Sequence, residues 1–131
     1  MSLDAPPGWH AEAPTRGPNY GVYSDGSAHS VTLAAVSDDQ GSSPRCDRLI
    51  DGMMRGMARK TGLSTPPAAT ALPSTDGAVC RFSAEIPGRN QLVSGGYMPC
   101  PETSSGIVFA YFRGLDAADD QGIVKRIHCP G

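Results

Sequence analysis

The sequence predicts an α+β fold: one antiparallel sheet of about five or six strands, packed by two helices over about residues 44–60 and 116–128. Three observations predict it. An apolar stripe of helical period runs through residues 46–58. Apolar and polar residues alternate with period two in several segments separated by short turn signals. Residues 107–112 are apolar on both alternations and read as the most buried strand. Strands that follow one another through short turns pair antiparallel, and helices then dry the apolar face.

Taken in order, residues 1–19 hold four prolines and few large apolar side chains. They read as an extended, Pro-rich arm ahead of a single domain over 20–131. Trp9 is the exception: a lone tryptophan is costly to leave in water and is expected to fold back onto the core. Residues 20–23 form a short strand and Asp25-Gly26 a turn. Residues 28–37 form a second strand, with Val31, Leu33 and Ala35 on one face, closed by the turn Ser37-Asp38-Asp39-Gln40-Gly41.

Cys46, Leu49, Ile50, Met53, Met54, Met57 and Ala58 recur at the three- and four-residue spacings of one helix face. Ser43 is the expected N-cap, Pro44 the first helical residue and Gly62 the C-terminal cap. Gly52 and Gly56 cost about 1 kcal/mol each relative to alanine, which close packing on the sheet would explain. The methionine trio Met53, Met54 and Met57 reads first as core and second as an adaptable binding surface.

Residues 68–72 read as a short edge strand, a place that tolerates Pro73 at its end. In 78–86, Cys80, Phe82, Ala84 and Ile86 share one face, and Arg81, Ser83 and Glu85 the other. Pro87-Gly88-Arg89-Asn90 is a turn and 92–98 the returning strand, with Gly95-Gly96 marking a bulge. Asp116 is the expected N-cap of the final helix, with Asp119 and Asp120 in its first turns. Lys125, Arg126 and His128 fall in its last turn, where they suit the helix dipole.

The chain has 131 residues and a mass of 13.6 kDa, the size of one domain. A formal net charge of −2 and a pI near 5.8 argue against a dedicated nucleic-acid binder. The longest apolar run falls far short of the about twenty residues of a membrane-spanning helix. Aromatic residues are 6% of the chain, so the core rests on Leu, Ile, Val, Met and Ala.

Cys46, Cys80, Cys100 and Cys129 are widely spaced, with no C-x-x-C pair and no histidine at ligand spacing from a cysteine pair. That pattern predicts two disulfides in an oxidising compartment rather than zinc or free thiols. The chain opens without a signal peptide; the reading preferred is that a signal has been removed and Met1-Ser2-Leu3 is a vector-derived leader. The Ala, Gly, Pro, Asp and Arg-rich usage suits a GC-rich bacterial genome. A periplasmic or secreted bacterial protein is therefore expected. Two connectivities compete. With a loop over 87–91, Ile86 pairs with Leu92 and Cys80 faces Met98, one diagonal step from Cys100. This register favours Cys80–Cys100 with Cys46–Cys129. The rival, Cys46–Cys80 with Cys100–Cys129, staples each helix to the sheet.

Pro7-Gly8-Trp9, the strand and long helix through Met57, and Ile107-Val108-Phe109-Ala110-Tyr111-Phe112-Arg113-Gly114 running into the terminal helix carry a resemblance. Their order resembles the PsbP/Mog1-like fold of small bacterial envelope proteins. The resemblance implies a non-enzymatic accessory factor, lipoprotein or protein-binding module. It implies no shared catalytic set, so it transfers no site residue.

Several groupings bear on chemistry. Asp25-Gly26-Ser27-Ala28-His29 brings three triad residue types together, but sequence neighbours on a turn seldom have triad geometry, and no G-x-S-x-G elbow supports it. His128-Cys129 would be a thiol–imidazole pair only if the cysteine were free. Asp38-Asp39 and Asp119-Asp120 point apart as neighbours. No cofactor, metal or catalytic set is expected. Five of the eleven basic residues lie on the first helix, and Arg48, Arg55 and Arg59 fall near one face. The plainer reading is a solvated face. The sharper one is a docking surface for an acidic partner or for anionic headgroups at a membrane surface.

Three functions remain. The first and preferred is a non-enzymatic, exported envelope module that binds a protein, or a small ligand, across its sheet. The second is a periplasmic immunity protein that neutralises one toxin. The third is a small secreted hydrolase built around His29 or His128.

Overall fold

The computed structural model describes residues 2–12, 20–26, 29–37, 45–74, 77–100, 105–114 and 121–129. In chain order the elements are β1 (Ser2–Leu3), β2 (His10–Ala11), β3 (Tyr20–Ser24), β4 (Ser30–Ser37), α1 (Cys46–Thr61), β5 (Thr70–Ala71), β6 (Val79–Ile86), β7 (Gln91–Cys100), β8 (Ser105–Gly114), α2 (Gln121–Val124) and β9 (Ile127–His128). Seven strands make one antiparallel sheet in the order β2-β3-β4-β8-β7-β6-β5, and β1 pairs with β9 separately. The mixed α+β class stands, with more strands than the five or six expected. The added strand of the main sheet, β2, is two residues long and too short to show alternation.

The central strand β8 explains the layering. Its side chains alternate, so Ile107, Phe109 and Tyr111 face one way and Ala110 and Phe112 the other. Ile107 and Phe109 are wholly buried on the first face with Val31, Leu33, Met98 and Cys100. Ala110 lies on the second face with Phe82, Ala84, Ile86, Val93, Met54 and Met57. Both faces therefore need a cover.

The helix α1 covers the second face. Its stripe packs as the spacing requires, with Met54, Met57 and Ala58 buried and Ile50 and Met53 partly so. Gly62 closes it in the left-handed conformation (φ 72°) and its N–H donates to the Ala58 carbonyl. Arg45 is the N-cap, without a side-chain cap, and its carbonyl accepts the first helical bond from Leu49 N–H at 3.0 Å. The expected N-cap Ser43 and the expected Pro44 lie outside the described residues.

The terminal segments cover the first face, with no second long helix among the described residues. Leu3, Ile123, Val124 and Ile127 are buried there, and Ala5, Trp9 and Tyr23 pack against them. Trp9 does fold back, its ring 6.3 Å from that of Tyr111. The expected helix over 116–128 is corrected. Among the described residues of that range, 121–128, Gln121–Val124 is helical, and Ile127 and His128 are a strand paired with Leu3 and Ser2. Ile123, Val124 and Ile127 are β-branched and fit an extended chain as well as a helix. Pairing with β1 then decides, extended by the Asp4 N–H donating to the Arg126 carbonyl at 2.7 Å. Asp116, Asp119 and Asp120 lie outside the described residues.

The disulfides are Cys46–Cys80 and Cys100–Cys129, with Cα separations of 4.9 and 5.8 Å, so the favoured connectivity gives way to its rival. The reason is register. The β6–β7 hairpin turns through 87–90, and Ile86 pairs with Gln91 instead of Leu92. Gly88 and Asn90 supply the positive φ values this shorter turn needs (78° and 49°). A slip of one residue moves side chains to the opposite face. Cys100 consequently lies with Met98 and Ile107 on the terminal-segment face, away from Phe82. The bulge is also elsewhere than expected. It lies in β6, between Val79 and Phe82, where Cys80 adopts φ 53° and joins the start of α1. Two disulfides place the chain in an oxidising, extracytoplasmic compartment.

Gly95 serves packing. A Cβ there would stand 2.7 Å from Phe82 Cζ and closer still to the Phe109 carbonyl oxygen. Gly95→Ala is expected to lower stability by about 1–3 kcal/mol through overpacking. Addition of Phe82→Leu is expected to recover part of that loss. Urea unfolding of the two variants checks it.

Candidate functional site

The helix α1 packs most closely on the β6 side of the sheet and leaves the same face of β3 and β4 less covered. A groove opens there, about 320 Å³ in volume. Its floor is Thr32 and Ala34 from β4, Ala110 and Phe112 from β8, and Tyr20 from β3. Register explains the set: Thr32 pairs with Ala110 and Ala34 with Tyr20, so all five project to one face. Thr32, Ala34 and Ala110 are small, so the floor does not fill the space beneath the helix. Met53, Gly56, Met57 and Lys60 form the wall. They sit at i, i+3, i+4 and i+7, one face of α1.

Gly56 bears on the groove's width. Nothing lies within 4 Å of a Cβ built at Gly56 or Gly52, so the expectation that these glycines permit close packing is corrected. The space beside Gly56 belongs to the groove. Of the methionine trio, Met54 is core, while Met53 and Met57 also border the groove.

Lys60 stands at one end. Its Nζ donates to the Tyr20 hydroxyl at 3.1 Å and lies 5.7 Å from the centre of the Tyr20 ring. Among the described residues no carboxylate pairs with it. In the sequence Lys60 is one of the five basic residues of the first helix, and nothing there singles out this role beyond its spacing: Lys60 follows Gly56 and Met57 by four and three residues.

The other expected residues are placed as follows. Arg48, Arg55 and Arg59 are exposed. Arg55 Nε donates to Asp51 Oδ2 at 2.8 Å, one turn away, a surface pair of small energetic weight. Arg55 and Arg59 border a second open depression with Ala58, Leu63, Ser64 and Pro66.

His29 Nδ1 lies 3.0 Å from Asp25 Oδ2, while the His29 N–H donates to Asp25 Oδ1 at 3.3 Å and the Asp25 N–H to the His29 carbonyl at 3.2 Å. These bonds close the β3–β4 turn, a structural task. Ser27, the remaining triad type, lies outside the described residues, as do Asp38 and Asp39. Cys129 is in a disulfide, so the thiol–imidazole reading of His128-Cys129 is removed. Arg113 is buried, a feature the sequence did not signal. Its Nη1 donates to the Ser94 hydroxyl, its guanidinium lies 5.7 Å from the Tyr111 ring, and its Nε has no partner among the described residues.

No protein-family model, curated protein or solved structure matches the chain. The groove and its neighbours are thus read on their own geometry. Among the described residues no three His, Cys, Asp or Glu come together, and no helix is long and apolar enough to cross a membrane.

The open space beside Gly56 has a consequence for stability. Gly56→Ala is expected to raise stability by about 0.5–1 kcal/mol, since alanine is the better helix former and meets no neighbour. Thermal and urea unfolding check this, and a loss would mean that the helix wall stands closer to the sheet.

Proposed function

We propose that the protein is an exported, non-enzymatic binding module of the bacterial cell envelope, periplasmic or secreted, and that its ligand lies in the groove between α1 and β4. The observation behind this reading is the open trough lined by Ala34, Met53, Met57, Ala110 and Phe112. Its size falls at the small end of the range for small-molecule sites, about 300–1,000 Å³, which are apolar with few polar groups. Methionine walls adapt to the shape of what they hold. The Cys46–Cys80 disulfide ties the start of the helix to the sheet, so the trough is preformed. The resemblance to PsbP/Mog1-like proteins implies the same kind of role.

The test uses a neutral apolar fluorophore, N-phenyl-1-naphthylamine. Saturable binding at one site is expected. Gly56→Leu fills the trough and is expected to weaken binding on the order of tenfold, about 1.4 kcal/mol. Absence of binding, or unchanged binding in a folded Gly56→Leu, would overturn the proposal.

A second reading has its own observation, the depression between Arg55 and Arg59. An immunity protein that meets an acidic toxin would use it. Arg55→Glu with Arg59→Glu is then expected to abolish capture of that toxin in a binding assay while fluorophore binding persists. Toxin capture unchanged by the double reversal would sink this reading.

A further inference from the structure

We infer that the groove takes a single-chain amphiphile with an anionic head, a free medium-chain carboxylate, with its head on Lys60 Nζ and its tail along the trough. This rests on the groove reading above and adds the ligand's chemistry. Among the described residues, Lys60 is the one charged residue lining the groove, and it stands beside Tyr20 at one end. No carboxylate among the described residues lines the trough. Tyr20 positions the ammonium without neutralising it, through the hydroxyl contact at 3.1 Å and the ring at 5.7 Å. Side chains on a helix lean toward its N-terminus. That draws the Lys60 ammonium back over the trough and away from the carbonyl end of α1.

The floor disfavours a peptide. Four of its five residues lie on β4 and β8, which have hydrogen-bonded strands on both sides. They offer side chains and no free backbone ladder, so the amides of a bound peptide would lose water without gaining partners. A hydrocarbon chain has no such groups to satisfy. The volume of about 320 Å³ suits one medium-length chain and not the two chains of a phospholipid. Each methylene moved from water into the trough multiplies affinity by about four. The exposed head-group pair adds about two- to fivefold. The tail therefore supplies affinity and Lys60 supplies the sign of the head.

The experiment is displacement of N-phenyl-1-naphthylamine, below their micelle concentrations, by dodecanoate, dodecanol and dodecylammonium. The expected order is dodecanoate, then dodecanol about two- to fivefold weaker, then dodecylammonium. Lys60→Gln is expected to erase the advantage of dodecanoate over dodecanol, and Lys60→Glu to favour dodecylammonium. Dodecanoate and dodecylammonium of equal strength would overturn this inference while the groove reading stands. So would an order unchanged in Lys60→Glu. If the fluorophore binds and none of the three displaces it, a chain ligand is excluded. If the fluorophore itself fails to bind, the groove reading falls first. Sedimentation with phosphatidylglycerol vesicles separates the sources: the protein is expected to stay in the supernatant, and capture by vesicles with no response to free dodecanoate would assign the site to a membrane surface.

Discussion

β8 presents Ile107, Phe109 and Tyr111 to one side and Ala110 and Phe112 to the other, so the sheet at its centre is apolar on both faces. Each face must be dried, and among the described residues there is one long helix for two faces. The helix α1 takes one. The two ends of the chain, paired as β1 and β9 and joined by α2, take the other. Neither cover is large. Each is held by one disulfide, Cys46–Cys80 for the helix and Cys100–Cys129 for the terminal segments. By the chain-entropy account each contributes about 4 kcal/mol, a large share of the stability of a domain this size.

The disulfide pattern and the two-sided core have one origin, the β6–β7 hairpin. Gly88 and Asn90 in left-handed conformations make the turn one residue shorter than a loop over 87–91. That single residue decides which face Cys100 joins. It also sets Phe82 opposite Gly95, where the absence of a Cβ admits the ring. The β6 bulge then lets Cys80 meet Cys46 although Arg81 beside it is buried.

Elements with a strong local period were legible in the sequence. The α1 stripe, its Gly62 cap, the β3–β4 hairpin, the edge position of β5 and the return of Trp9 all follow from patterns within a few residues. Features set by partners distant in sequence were not. Ile127 fits a helix or a strand, and its pairing with Leu3, far away in sequence, settles which. The register of Cys100 hangs on turn geometry that several loop lengths satisfy. The groove is half legible: the spacing of the methionine trio favours core, which fits Met54, and the second reading, an adaptable surface, fits Met53 and Met57 at the groove. The opening beside them depends on where α1 stops covering the sheet, which no local pattern encodes. Lys60 lay hidden in a cluster of basic residues until Tyr20 came beside it from another strand.

The margins of the large sheet carry a different consequence. It ends on β2 at one side and β5 at the other, each two residues long. A long exposed margin is a template on which another chain can add a strand, and native sheets blunt it with short or proline-flanked segments. Here Pro66, Pro67 and Pro73 stand close to β5. β2 covers only Tyr23 and Ser24 of β3, and β5 only Phe82 and Ser83 of β6, so each margin is broken into short, stepped lengths. A second copy of the molecule, drawn to the open apolar trough, meets no single long ladder on which to add its own strands.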